Sequence, residues 1–360
     1  MTPGQPARVG LIGLGEVGQI HLEAYAASSL VEIVAVAEIS AERKAAAKIA
    51  KGITIYESHL AMLRNERLDI ACVLTPAATH AQVARDCADA LVATLCEKPL
   101  AHSAASAQNI ADHFAQRGVK LGYGSSYRHL PAIIKAREMI SSGAIGTVTS
   151  AREICLTGRG PSAQRPFNTV HYPDGGPGGT GMGLVDHGIH LLDIMPWLID
   201  SPIVSAWGRG NRSGAPLQAE FATLHFANGA IGQLLYDDGT WSSSLPGEGL
   251  FSKGASWDLD GPLPPGRWDS NPATIYVHGT KGALRICYYA NVLFYQNQSG
   301  IREIDITGEA APAHFRRQIH CFAADLASDH QPSPGADEGI RALKILEAIY
   351  ASEEKIIDFS

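Results

Sequence analysis

Three glycines at positions 13, 15 and 18, in the run RVGLIGLGEVGQIH (8–21), limit the fold more than any other feature of this chain. A short apolar strand precedes them and a helical stretch follows, which is the setting that gives the Gly-x-Gly-x-x-Gly spacing a physical meaning. Gly13 permits a tight turn, Gly15 lets the backbone approach a pyrophosphate, and Gly18 lets helix and strand pack closely. Glu16 and Val17 then open a helix whose first N–H groups face an anion. Glycines also punctuate ordinary loops; the strand before and the helix after set this run apart. Glu38 follows Gly18 by 20 residues, at the end of the next strand. An acidic side chain there can bond the ribose hydroxyls and repel a 2′-phosphate, so NAD is expected in preference to NADP. The competing reading of Glu38 is a solvated residue opening a loop.

The pattern repeats through the first third. VEIVAVAE (31–38), LDIACVLT (68–75), LVATLC (91–96) and VKLGY (119–123) read as strands. Between them, 19–28, 40–50, 79–90 and a stretch near 103–117 read as helices. Strand and helix alternating in this way predict a doubly wound parallel sheet covered on both faces, the Rossmann arrangement. At 360 residues the chain has room for about two domains. An excess of 36 acidic over 29 basic residues disfavours a nucleic-acid partner, which wants a basic face. No apolar run approaches the ~18 residues that span a bilayer. The N-terminus lacks the pattern of a secretory signal. Six cysteines without a Cys-x-x-Cys pair fit a reducing cytoplasm.

In a doubly wound sheet, ligands bind beyond the carboxyl ends of the strands. Thr75-Pro76 and Glu97-Lys98-Pro99 stand at two such ends. Lys98 is a cation placed beside a reacting alcohol or carbonyl; the competing reading is a surface lysine closing a loop. A second group lies in GLVDHGIHLLD (183–193). Asp186 and His190 are four apart, on one face of a helix, with Asp193 near that face. A neutral histidine takes a proton near pH 7, and a neighbouring carboxylate orients it. His187 points elsewhere and reads as structural, and Asp193 as a brace. A surface hydrogen bond between Asp186 and His190 is the plainer alternative.

The motifs GLIGLGEVGQIH, VLTPAATH, CEKPL, ISSGAIG, GGTGMGLVDHGIHLLDIMPWLI and IYVHGTKGAL occur in this order. Together they closely resemble the Gfo/Idh/MocA family of NAD(P)-dependent oxidoreductases, over nearly the whole chain. The resemblance implies an N-terminal Rossmann domain over 1–123. Over 124–360 it implies an α/β domain with an open, mostly antiparallel sheet that binds substrate and oligomerises. The C-terminal helices would then pack back on the first domain. It implies a dehydrogenase acting on a sugar, polyol, glycoside or related cyclic alcohol, assembled as a homodimer or homotetramer, with no metal. Thr75, Pro76, His80, Glu97 and Lys98 would join Gly13, Gly15, Glu16, Val17, Gly18 and Glu38 around the cofactor. Lys98 would touch the reacting hydroxyl, His190 would be the general acid/base, and Asp186 would stand beside it. Tyr127, Arg165 and His171 would contribute to the substrate site.

There are departures from the family pattern. GYGSSYRHLP (122–131) carries Ser125 and Ser126 where the family often has arginines, and Arg128 where an acid is common. Two other functions stand against the leading one. A glycosidase that oxidises its substrate transiently typically lacks the lysine of Glu-Lys-Pro. A non-catalytic ligand sensor would have lost the catalytic groups. Lys98 argues against the first, and Lys98, Asp186 and His190 together against the second. The segment 237–272, rich in Gly and Pro, holds Trp241, Trp257 and Trp268, which would stack on a sugar or anchor an interface. His314 and His320, six apart, have poor spacing for a metal.

Overall fold

The computed structural model describes residues 5–47, 49–156, 183–209, 219–237, 274–309 and 311–352. The chain divides into two compact units. The first contains the residues up to Ser126 together with Pro312–Arg341; the second begins at Tyr127 and resumes at Ala342.

The first unit alternates strand and helix from the start: β1 (Ala7–Ile12), α1 (Glu16–Ala26), β2 (Val31–Ala37), α2 (Ala41–Ala46), β3 (Thr54–Tyr56), α3 (His59–Asn65), β4 (Ile70–Val73), α4 (Ala77–Asp89), β5 (Ala93–Glu97), α5 (Ala104–Arg117) and β6 (Leu121–Gly124). The sheet is parallel with order β3-β2-β1-β4-β5-β6, so the strand order reverses between β1 and β4. All four residues of β4 are buried, as expected of a strand covered on both faces. Ser40, Ser58 and Ser103 start their helices by accepting the N–H three residues on. Gly118 ends α5 in the left-handed region at φ 66°. Two short elements, β3 and α3, do not follow from the sequence pattern: three and seven residues are too few to show a period. The helix Ala313–Ala327 returns to this unit and packs on α1.

The second unit contains α6 (Pro131–Ser141), β7 (Val148–Leu156), α7 (Ile189–Ile199), β8 (Ile203–Arg209), β9 (Glu220–Phe226), β10 (Ile231–Asp237), β11 (Thr274–Gly279), β12 (Ala283–Cys287), β13 (Val292–Asn297) and β14 (Gly300–Glu303). After them come α8 (Ala313–Ala327) of the first unit and α9 (Ala336–Ala351). The eight strands form one sheet, order β14-β13-β12-β11-β7-β10-β9-β8, in which only β7 and β10 run parallel. Asn228 and Gly229, at φ 86° for the glycine, make the tight turn between β9 and β10. On one face, α6 packs on β12 and β13, and the turn before α7 packs on β9 and β10. Exposed Ile154, Trp207 and Ile231 lie on β7, β8 and β10, each next in sequence to a residue buried in the unit.

One expectation is corrected here. The segment carrying Asp186 and His190 is not one continuous α-helix: Gly183–Gly188 is a π-helical turn, and α7 begins only at Ile189. The wider turn has a visible cause. The buried Glu220 carboxylate accepts the Leu184 N–H at 2.6 Å and occupies the space a side chain at Gly183 would need. Such turns insert a residue into the helical register, so Asp186 sits in the wider turn and His190 in the first turn of α7.

Candidate active site

The glycine-rich turn has the shape its spacing predicts. Gly13 sits at φ 101°, and a side chain there would press on the Leu74 carbonyl. At Gly18 a side chain would collide with the carbonyl oxygen of Gly13. Nothing lies within 4 Å of the position a Cβ would take on Gly15. Gly15 also caps α1 without a side-chain hydrogen bond. A bare glycine facing open space at a helix start is the cradle a pyrophosphate requires, so these residues fit NAD. Glu16 is exposed and Val17 half-buried at the same helix start.

Glu38 is buried, at 3% exposure, and its carboxylate is tied to the main chain. One oxygen accepts the Leu14 N–H at 2.7 Å, the other the Ser40 N–H at 2.8 Å. It therefore braces the glycine turn directly. Each carboxylate oxygen has capacity for one further donor, such as a ribose hydroxyl.

The ends of β4 and β5 are held by two histidines. His80, at 1% exposure, places Nε2 2.7 Å from the carbonyl oxygen of Thr75 and Nδ1 2.8 Å from that of Pro99. Burial lowers its proton affinity, the two carbonyls and Glu97 raise it, Lys98 lowers it, and the balance lies below the ordinary histidine value. His80 thus joins the two loops at the strand ends. Fully buried His21, from α1, lies 3.2 Å from Glu97 Oε1 through Nε2 and 2.7 Å from the Tyr25 hydroxyl through Nδ1. The other oxygen of Glu97 accepts the Lys98 N–H at 3.0 Å. Glu97 is consequently a buried support for the segment that carries Lys98, which is itself half-buried. Thr75 and Pro76 are half-buried at the head of α4, where Thr79 donates to the Pro76 carbonyl at 2.8 Å.

In the second unit, Tyr127 stacks flat on His190, with ring centroids 3.8 Å apart and planes 2° from parallel. Its hydroxyl meets that of Tyr289 and lies 3.5 Å from His187 Nδ1. His187 leads to a carboxylate with no exposed surface, Glu153 on β7. Its Nε2 lies 3.3 Å from Glu153 Oε2 and 3.2 Å from the Tyr288 hydroxyl. Tyr288 and Tyr236 donate to the two oxygens of Glu153 at 2.5 and 2.7 Å. Asp193 forms a bidentate pair with buried Arg128, at 2.6 and 2.8 Å, beneath Trp197. Asp186 is half-buried within the π-helical turn.

The expected residues of this unit therefore separate by role. His190, Tyr127 and His187 come together, while Asp193 is engaged by Arg128. The unusual arginine of the SSYR stretch thus anchors α7. Arg165 and His171 lie outside the described residues, as do Trp241, Trp257 and Trp268. Sequence reasoning missed Glu153, Tyr288, Glu220 and His21. Glu153 left a trace: it occupies an inward position of an alternating strand, between exposed Arg152 and Ile154.

Residues 7–125 match the family described as "Oxidoreductase family, NAD-binding Rossmann fold", and residues 137–355 match its C-terminal alpha/beta domain. The rhizopine catabolism protein MocA of Rhizobium meliloti is 34% identical over 192 residues, which is 53% of this chain and 56% of that protein. The chain thus spans little more than half the length of that relative. Inositol 2-dehydrogenase 2 of Paenarthrobacter aurescens is 25% identical across 96% of both chains. Among solved structures, a levoglucosan dehydrogenase in complex with NADH and levoglucosan superposes with a TM-score of 0.75, at 24% identity over 98% of each chain.

Proposed function

Because this chain belongs to the Gfo/Idh/MocA oxidoreductase family, with an NAD-binding Rossmann domain as its first unit, we propose that it is an NAD-dependent dehydrogenase of a sugar, polyol, glycoside or related cyclic alcohol. The observation that carries this reading is the glycine cradle at Gly13, Gly15 and Gly18 in a sheet that also ends a strand in Glu97-Lys98-Pro99. The relatives named for inositol and levoglucosan support the substrate class.

Bound NAD supplies the hydride acceptor. Gly13, Gly15, Glu16, Val17 and Gly18 hold its pyrophosphate, Glu38 its ribose, and Thr75, Pro76 and the Glu97-Lys98 segment the other end. Lys98 donates to the reacting oxygen and favours the negative charge that develops there, as oriented donors do. His190 takes the hydroxyl proton, with Asp186 beside it; Tyr127 fixes the plane of the imidazole. Alcohol oxidation needs His190 neutral, so its rate rises as pH passes upward through the apparent pKa of the site. Ketone reduction falls over the same interval.

Arg165 and His171 add substrate contacts, and a homodimer or homotetramer forms through the sheet face of the second unit bearing Ile154, Trp207 and Ile231. Free thiols at all six cysteines suit a cytoplasmic setting. The test is absorbance at the NADH band with a panel of polyols, sugars and glycosides, read in parallel for released aglycone. NADH formation with at least one polyol or sugar is expected. Aglycone release without net NADH would replace the dehydrogenase by a glycosidase, and silence across the panel would leave only a sensor.

A further inference from the structure

His80 faces two acceptors and no donor. A carbonyl oxygen accepts hydrogen bonds and never donates, whereas a neutral imidazole has one N–H and one lone pair. With Nε2 at 2.7 Å from the Thr75 oxygen and Nδ1 at 2.8 Å from the Pro99 oxygen, a neutral ring would press a lone pair against a carbonyl. Both bonds exist together only when the ring carries two protons. The ring is buried, so water supplies no replacement partner.

We propose that His80 is a positioning residue for the cofactor, which as an imidazolium clamps the loop after β4 to the loop after β5 through the carbonyls of Thr75 and Pro99. The first loop begins at Thr75-Pro76, and the second carries Lys98. The inference rests on the reading that these strand ends border the nicotinamide half of NAD. Charge-assisted bonds from a cation are about twice as strong as neutral ones, so the doubly protonated clamp is much the stiffer form.

The charged groups acting on the ring among the described residues are Glu97 and Lys98, both from the end of β5. Glu97 favours the cation and Lys98 opposes it, as burial does. With burial the largest influence, the second proton leaves below the ordinary histidine value. The sign follows: two bonds hold the loops at acid pH, and one is lost as pH rises through that pKa.

The test uses the full chain labelled with 15N and 13C, with His80 assigned through its backbone resonances. Ring nitrogen shifts and the dissociation constant of NAD are read over about pH 5 to 8, the range in which histidines titrate. As pH falls, the His80 ring is expected to gain its second N–H, and NAD binding to tighten over the same interval. His80→Gln, which cannot donate from two opposed positions, is expected to bind NAD about tenfold or more weakly at the acid end and to lack that pH limb. A ring that keeps a single N–H down to about pH 5 would overturn the proposal. So would a Gln variant with the parental affinity and pH dependence. The ring spectrum needs no variant, so the question stays decidable if His80→Gln does not fold. If the parent chain fails to bind NAD at all, the functional reading falls, and the ring spectrum still decides whether the clamp exists.

Discussion

At the ends of β4 and β5, side chains mainly hold main chain. His80 bonds carbonyls 5 residues before it and 19 after it, and Glu97 accepts the N–H of the next residue. Glu38 reaches 24 residues back to the glycine turn. Around α7, side chains hold side chains over much longer separations: Arg128 to Asp193 across 65 residues, Tyr236 to Glu153 across 83, Tyr288 to Glu153 across 135. The first arrangement fixes loops, whose backbone groups would otherwise lack partners. The second fixes the orientation of rings, which no backbone bond can do. A residue that holds a cofactor through main chain and one that holds a proton through an imidazole plane therefore need different supports.

If this difference is real, the two regions should fail differently. The largest effect is expected at Glu153. Glu153→Ala leaves two buried tyrosine hydroxyls and His187 without their common acceptor, and should lower the unfolding free energy by about 3–5 kcal/mol in urea titrations. A loss under about 1 kcal/mol, the scale of an ordinary hydrogen bond, would mean the network does not carry the unit. Lys98→Ala should do the converse. Turnover falls by about a hundredfold or more, as when an oriented catalytic donor is removed. Unfolding and NAD binding should barely change. Unchanged turnover on a verified substrate would remove Lys98 from the chemistry.

Glu38→Ala is expected to be intermediate, with NAD weakened by about tenfold, because the Leu14 N–H loses a charged acceptor. Preference over NADP should relax as well, since the repulsive charge goes with it. Titration of both cofactors against parent and variant decides this, and a parent that favours NADP would refute the reading of Glu38. The smallest effect belongs to a purely local support. Ser103→Ala, at the start of α5, should cost about 1 kcal/mol of stability and leave cofactor affinity alone. Any larger change in affinity would mean that even distant caps shape the strand ends.

The same difference governs what the sequence discloses. The glycine turn, the Glu-Lys-Pro strand end and the serine caps each form a short contiguous run, so their spacing is itself the signal. The parallel sheet follows from the alternation of strand and helix, whereas its strand order appears only in the structure. The antiparallel order of the second sheet is implied by the family resemblance. Glu153 and Glu220 look like ordinary strand residues until β7 and β9 are brought beside helix α7 and its preceding turn. The π-helical turn was hidden for the same reason: the carboxylate that occupies its start comes from Glu220, on another strand. His80 was expected against the cofactor, and its two carbonyl partners appear only once β4 and β5 are paired. Arg128 shows the limit from the other side. It departs from the family pattern in sequence, and its bond to Asp193 gives that departure a structural use.

The return of Pro312–Arg341 to the first unit has a consequence for the order of synthesis. Phe315, on α8, packs its ring 4.6 Å from that of His21, the residue that holds Glu97. The ribosome has to make everything from 127 to 311 before α8 exists. At about 5–20 residues per second that is a delay of roughly 10–40 seconds. During that time α1 lacks one of its packing partners and His21 lacks Phe315. The part of the chain that is translated first is therefore among the last to be finished.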